Sequence, residues 1–154
     1  MHASSQPPAL AKVLELAGLL PQAAVAAVLI LGPETWHFAA LSLGYAYPAL
    51  ILSFLGGMWW GLGAGASGAG PVPAWVWVAA VAPSLVALAT AVPWAIGAKW
   101  PGPSLVVLGI AILASLLVDR RLVREGLAPA WWISLRIPLS LGLGLLTILA
   151  AAIG

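Results

Sequence analysis

The chain contains no cysteine, which removes disulfides, thiolate nucleophiles, iron–sulfur clusters and cysteine-ligated zinc, and leaves the redox compartment unmarked. Charge is nearly as scarce. Lys and Arg number six, Asp and Glu four, and charged residues make up only 6% of the sequence, where an ordinary soluble domain carries about a quarter. Histidine occurs only as His2 and His37, so Ser53, Ser84, Ser115 and Ser140 have no histidine at depth to act as a base, and serine nucleophile chemistry is unsupported. The net charge of +2 is no footprint for nucleic acid, because the basic residues cluster beside one apolar run instead of forming a stripe. No cofactor or metal motif emerges, and the expectation is a protein that is not an enzyme.

What the chain has in abundance is apolar length. Hydrophobic residues make up 63% of 154 residues, enough for five membrane spans of about 20 residues with short connections. A transmembrane barrel needs short segments of alternating polarity, whereas these runs are long and continuous. The expected fold is all-α, a single five-helix transmembrane bundle over residues 9–154 behind a flexible tail over 1–8, with the mature protein starting near Met1 and no cleavage site after the first run.

The spans are read as Ala9 to Leu31, kinked by Pro21; Phe38 to Gly63, with Pro48 inside; Ala74 to Ile96, with Pro83; Ser104 to Val118, stopping at Asp119-Arg120-Arg121; and Ala130 to Ile153. Gly/Ala/Ser/Pro-rich residues 61–73 read as a loop. Lys12, Arg120, Arg121, Arg124 and Arg136 fall on one side and Lys99 alone on the other. The bias of Lys and Arg toward cytoplasmic loops therefore predicts the N-terminus inside and Gly154 outside.

The most unusual string is Ser53-Phe54-Leu55-Gly56-Gly57-Met58-Trp59-Trp60-Gly61 in the second span. Ala49, Ser53, Gly57, Gly61 and Gly65 recur every four residues, so they stack on one helix face as a groove in which another backbone approaches closely. Gly56 widens the groove and Trp60 flanks it, while Trp59 points roughly opposite. The groove reads as the central packing face of the chain, or as the seat of a partner subunit or ligand. Gly61-Leu62-Gly63-Ala64-Gly65-Ala66 imitates a dinucleotide fingerprint, but lacks the preceding strand, the following helix and the acidic residue that the motif requires.

Ionisable groups inside the apolar boundaries cost several kcal/mol unless paired or hydrated. Arg136 lies six residues into the last span, about 9 Å along a helix. Glu15 sits at similar depth in the first span and Asp119 closes the fourth. An intramembrane charge cluster of Glu15, Asp119 and Arg136 is expected, Arg136 pairing with one or both carboxylates and stacking on Trp132; the bland alternative is an arginine snorkelling to headgroups. Midplane Gln22 is expected to make an interhelical hydrogen bond. The nine tryptophans read mainly as interfacial anchors; Trp59, Trp60 and Trp132, with Gln22, are the candidate contacts for a lipophilic ligand such as a quinone, tetrapyrrole or lipid. Glu34 and His37 are two potential metal ligands and no site; a helix cap by Glu34 or Thr35 is expected instead. Arg121 and Glu125 can pair if the fourth helix continues past Asp119, and the arginines of that loop attract anionic lipid, at about 1 kcal/mol each.

Several of these residues also carry a resemblance. Leu16-Ala17-Gly18-Leu19-Leu20-Pro21, Tyr47, Leu50 to Gly57, Trp60-Gly61, Pro83-Ser84, Asp119 with Gly126, and Pro129-Ala130-Trp131-Trp132 leading to Leu135-Arg136 and Leu139-Ser140 resemble the family called domain of unknown function three-four-two-nine. These are small five-span proteins of bacterial inner membranes, with a relative in animals called transmembrane protein sixty-nine. The resemblance implies no activity, substrate or cofactor. It marks Gly56, Gly57, Trp60, Asp119 and Arg136 as signature positions. Where relatives commonly carry a polar residue such as histidine, this chain has Trp59, so a function needing that group does not carry over. The functional expectation is an accessory or assembly-type subunit packing against other proteins of the inner membrane or a second copy of itself; the alternative is a carrier of a lipophilic molecule. The bilayer is its first partner, and nucleic acid is not expected to be one.

Overall fold

The computed structural model describes residues 6–68 and 70–154; most of the tail expected over residues 1–8, His2 with it, lies outside the described residues. Among the described residues every regular element is helical. The first span is split into α1 (Ala9–Ala17) and α2 (Leu20–Leu31), and a 3-10 turn at Glu34–Trp36 leads into α3 (His37–Ala66). Then follow α4 (Ala74–Ala95), α5 (Gly102–Arg124) and α6 (Trp132–Ile153). Counting α1 with α2, five segments are long and apolar enough to cross a membrane.

The break in the first span falls at Gly18-Leu19, just ahead of Pro21, which lies at the start of α2. A proline there needs no partner for its missing N–H, whereas mid-helix it would clash with the carbonyl four residues back. The Gly18 carbonyl finds a donor elsewhere, accepting a 2.6 Å hydrogen bond from the Tyr47 hydroxyl of α3. The imitation of a dinucleotide fingerprint lies inside α3, which runs about a turn further than its composition suggests. The expected cap by Glu34 or Thr35 is not made. The 3-10 turn runs straight into α3, and the Glu34 backbone carbonyl accepts from the His37 N–H.

Burial is inverted relative to a water-soluble domain. Gln22, Asp119, Ser140 and Thr147 are wholly buried, while Leu31, Phe38, Leu50, Val78 and Leu117 are each more than two-thirds exposed. An apolar rind around an apolar core that also takes in the polar groups is what lipid as the outer solvent selects, since a polar group facing hydrocarbon has no partner. α3 lies at the centre, touching α2, α4, α5 and α6.

Glycines set where helices approach, but not at the expected positions. A Cβ on Gly56 would collide with the Ala80 carbonyl oxygen of α4, and one on Gly44 would stand 2.7 Å from Val25 of α2. α5 and α6 meet reciprocally: a Cβ on Gly109 would be 2.8 Å from the Gly144 carbonyl oxygen, and one on Gly144 3.0 Å from that of Gly109. By contrast, among the described residues nothing lies within 4 Å of a Cβ on Gly57, Gly61 or Gly65. The buried face of α3 is Gly44, Pro48, Leu52, Leu55, Gly56, Trp59 and Gly63, about one residue, or 100°, around the helix from the expected ladder. Of that ladder, Ala49 packs against the interior and Ser53 shares a 2.8 Å hydrogen bond with Ser84 of α4. Gly57 and Gly61 are left uncovered, so the expectation that a neighbouring span fills the whole groove is corrected.

Candidate functional site

Asp119 does not end the fourth span. α5 continues to Arg124, because Leu122 is buried with Leu55, Trp59, Val76 and Ala128 and gives the extra turn an apolar anchor. The helix closes at Gly126, whose φ of 71° allows the Leu127 N–H to reach the Leu122 carbonyl (2.9 Å) and the Gly126 N–H the Val123 carbonyl (3.1 Å), a glycine-terminated helix end. Asp119 therefore projects from a helical turn into the bundle and is fully buried.

Three side-chain donors converge on it. Its Oδ1 accepts from Trp59 Nε1 of α3 and Trp132 Nε1 of α6, each at 2.9 Å, and its Oδ2 accepts from Arg136 Nε of α6 at 2.9 Å. The same guanidinium donates through Nη2 to Ser140 Oγ at 2.9 Å. Its Nη1 stands 4.0 Å from Glu15 Oε1 of α1. Arg136 is only 3% exposed, so it does not snorkel to headgroups. The cluster ties α1, α3, α5 and α6 together at one end of the bundle, and charge-assisted bonds are what make a buried carboxylate tolerable there. Glu15 Oε2 is buried without a hydrogen-bond partner among the described residues. One arginine thus faces two carboxylates.

In place of the expected stacking of Arg136 on Trp132, the two share one carboxylate, Trp132 donating to Asp119 Oδ1 and Arg136 to Oδ2. Trp59, expected opposite the packing face and among the interfacial anchors, is a buried donor at the centre. Its indole N–H supplies a polar contact at the position where relatives are expected to carry a polar residue. Trp132, Arg136 and Ser140 stand four residues apart, with Gly144 next, on one face of α6; that spacing is the sequence signal for the donor set. No comparable signal marks Trp59 as the partner of Asp119, which is 60 residues away.

The candidate ligand contacts do not share one cavity. Trp132 lines a cleft of about 490 Å³ with Glu15 and Arg136. Trp59 borders a hollow of about 210 Å³ with Pro83 and Ser115. Trp60 is half-exposed and meets Trp77 edge to face at 4.9 Å. Gln22 makes the interhelical bond, Nε2 donating to the Gly44 carbonyl at 3.1 Å. Among the described residues no group of three or more His, Cys, Asp or Glu could hold a metal.

At the rim of the same end, Arg121 Nε donates to Glu125 Oε1 at 2.8 Å, and Trp75 Nε1 of α4 donates to Glu125 Oε2 at 2.9 Å. The Arg121 guanidinium lies 4.1 Å above the Trp75 ring, a cation–π contact. The hydrogen bond from Arg121, helped by that from Trp75, holds the Glu125 carboxyl below its ordinary value of 4.5.

Five apolar spans around a buried Asp–Arg cluster define a small polytopic helical membrane bundle. Within that class, the chain belongs to the family described as protein of unknown function (DUF3429), which matches residues 7–152. No curated protein and no solved structure matches it.

Proposed function

We propose that the protein is a non-enzymatic accessory subunit of the bacterial inner membrane that docks the uncovered edge of α3 against another membrane protein. The observation that carries this reading is the contrast within one pair of glycines: Gly56 is closed against Ala80, while Gly57 and Gly61 face open space among the described residues. Bare backbone on a lipid-facing edge gives lipid chains little to pack against, whereas a partner helix with a matching small face gains close van der Waals contact. The Asp119 cluster then serves as the internal clamp that keeps α3 presented at a fixed angle.

The accompanying topology is N-terminus cytoplasmic, supported by Lys12, Arg120, Arg121 and Arg124 lying at the end of the bundle that also holds Arg136. Reporter fusions to each terminus test it, and an externally active N-terminal fusion overturns it. The docking reading is tested by gentle extraction of the native protein and of Gly57→Leu, with bound proteins identified by mass spectrometry. The expected result is a reproducible membrane partner lost from Gly57→Leu while its thermal unfolding is unchanged. Absence of a reproducible partner, or retention of the same partner by a folded Gly57→Leu, refutes the reading.

A further inference from the structure

α1, the middle of α3 and the first turns of α6 border the cleft of about 490 Å³. Leu14, Phe54, Met58 and Leu139 give it apolar walls, and Glu15 and Arg136 are the charged residues that line it. The Arg136 guanidinium is committed to Asp119 and Ser140 at 2.9 Å and reaches Glu15 only at 4.0 Å, beyond hydrogen-bond length. One guanidinium already committed to Asp119 does not also satisfy Glu15, whose Oε2 is buried and unpartnered among the described residues. Leaving such an oxygen without a donor is costly. An occupant that relieves it brings a hydrogen-bond donor into an otherwise apolar cleft, and a donor that carries positive charge also balances the second carboxylate beside Arg136.

Position narrows the chemistry further. Glu15 lies six residues from the start of the first span, about 9 Å along a helix, within reach of the headgroup zone. Lys12 lies one turn nearer the membrane surface, beside an adjoining hollow that it lines with Ser134 and Leu135. From the surface inward the order is a cation, a carboxylate, then apolar walls. We infer that the cleft binds a phospholipid with a primary ammonium headgroup. Its phosphodiester lies toward Lys12 at the mouth; from there the ethanolamine arm bends back so that its ammonium donates to Glu15, while the glycerol leads one acyl chain along Leu14, Phe54 and Leu139. Gly57, Gly61 and Gly65 are not among the residues that line this cleft, so its test is separate from that of the docking edge.

The test uses the purified full chain in detergent, with native mass spectrometry to count retained lipids and thermal unfolding to measure stabilisation. Phosphatidylethanolamine, phosphatidylcholine and phosphatidylglycerol of the same acyl composition are compared. Choline keeps the positive charge but has no N–H to donate. A charge-assisted hydrogen bond in an apolar-walled cleft predicts phosphatidylethanolamine retained over phosphatidylcholine by about tenfold or more. That preference is expected to vanish in Glu15→Leu. Leu14→Trp, on an exposed wall remote from the Asp119 bonds, fills the cleft and is expected to lower phosphatidylethanolamine retention in a protein that still folds. Equal retention of the three lipids overturns the proposal, as does preferential retention of an uncharged hydroxyl amphiphile such as a quinol. A preference unchanged in either variant overturns it as well.

Discussion

Asp119 is the residue on which the most structure depends, since three donors from two helices point at its two oxygens. Asp119→Asn keeps the shape but leaves Arg136 buried against a neutral amide, and breaking a buried pair from one side costs about 3–5 kcal/mol. Thermal unfolding in detergent measures it. Adding Arg136→Met is expected to recover part of the loss, because the guanidinium is no longer stranded against a neutral amide, although Glu15 loses its neighbouring cation; a double-mutant cycle exposes that coupling. Glu125 behaves differently because it is at the rim. Its folded carboxyl titrates below 4.5, so its stabilisation is fully present above that value and is lost as pH falls through the lower folded value. The gap in unfolding temperature between the wild type and Glu125→Gln is therefore expected to shrink below pH 4.5, and to be smaller in high salt, where exposed ion pairs are screened.

For the elements, the decisive comparison is between neighbouring glycines of α3. Gly56→Ala places a methyl group against the Ala80 backbone, where relief requires a helix shift; overpacking of this kind costs about 1–3 kcal/mol. Gly57→Leu meets open space and is expected to leave the isolated chain as stable as the wild type, as judged by unfolding in detergent. The four-residue ladder was legible in the sequence, and small residues do mark where helices approach. Which of two adjacent ladders turns inward was not, because a rotation of about 100° separates them and both are rich in Gly and Ala. The same holds for Gly109 and Gly144, whose contact joins helices that the sequence shows only as separate apolar runs. Helix ends differ from the sequence pattern where tertiary anchors prolong them: Asp119-Arg120-Arg121 looks like a stop, yet buried Leu122 and the Arg121–Glu125 pair carry α5 to Arg124.

Taken as a whole, the molecule is a bundle whose solvent is hydrocarbon, and this too can be measured. Leu50 lies near the middle of α3 and is 68% exposed. Leu50→Arg is expected to cost about 3–4 kcal/mol of membrane insertion, read as loss of the inserted fraction in a translocon assay, whereas an exposed leucine facing water would tolerate the change. The sequence by itself determined that outcome and the number of spans, since long apolar runs with 6% charge have only the bilayer in which to satisfy every backbone group helically. It also singled out Glu15, Asp119 and Arg136, because charges are so few that their depth alone marks them. Only the tertiary structure decided that Trp59 and Trp132 complete the Asp119 site and that Arg136 prefers Asp119 to Glu15. It alone placed Gly56, and not Gly57, against a neighbour. Those outcomes depend on how each helix is rotated about its axis and where it crosses the next. Packing sets both, and no single helix carries that information in its own periodicity.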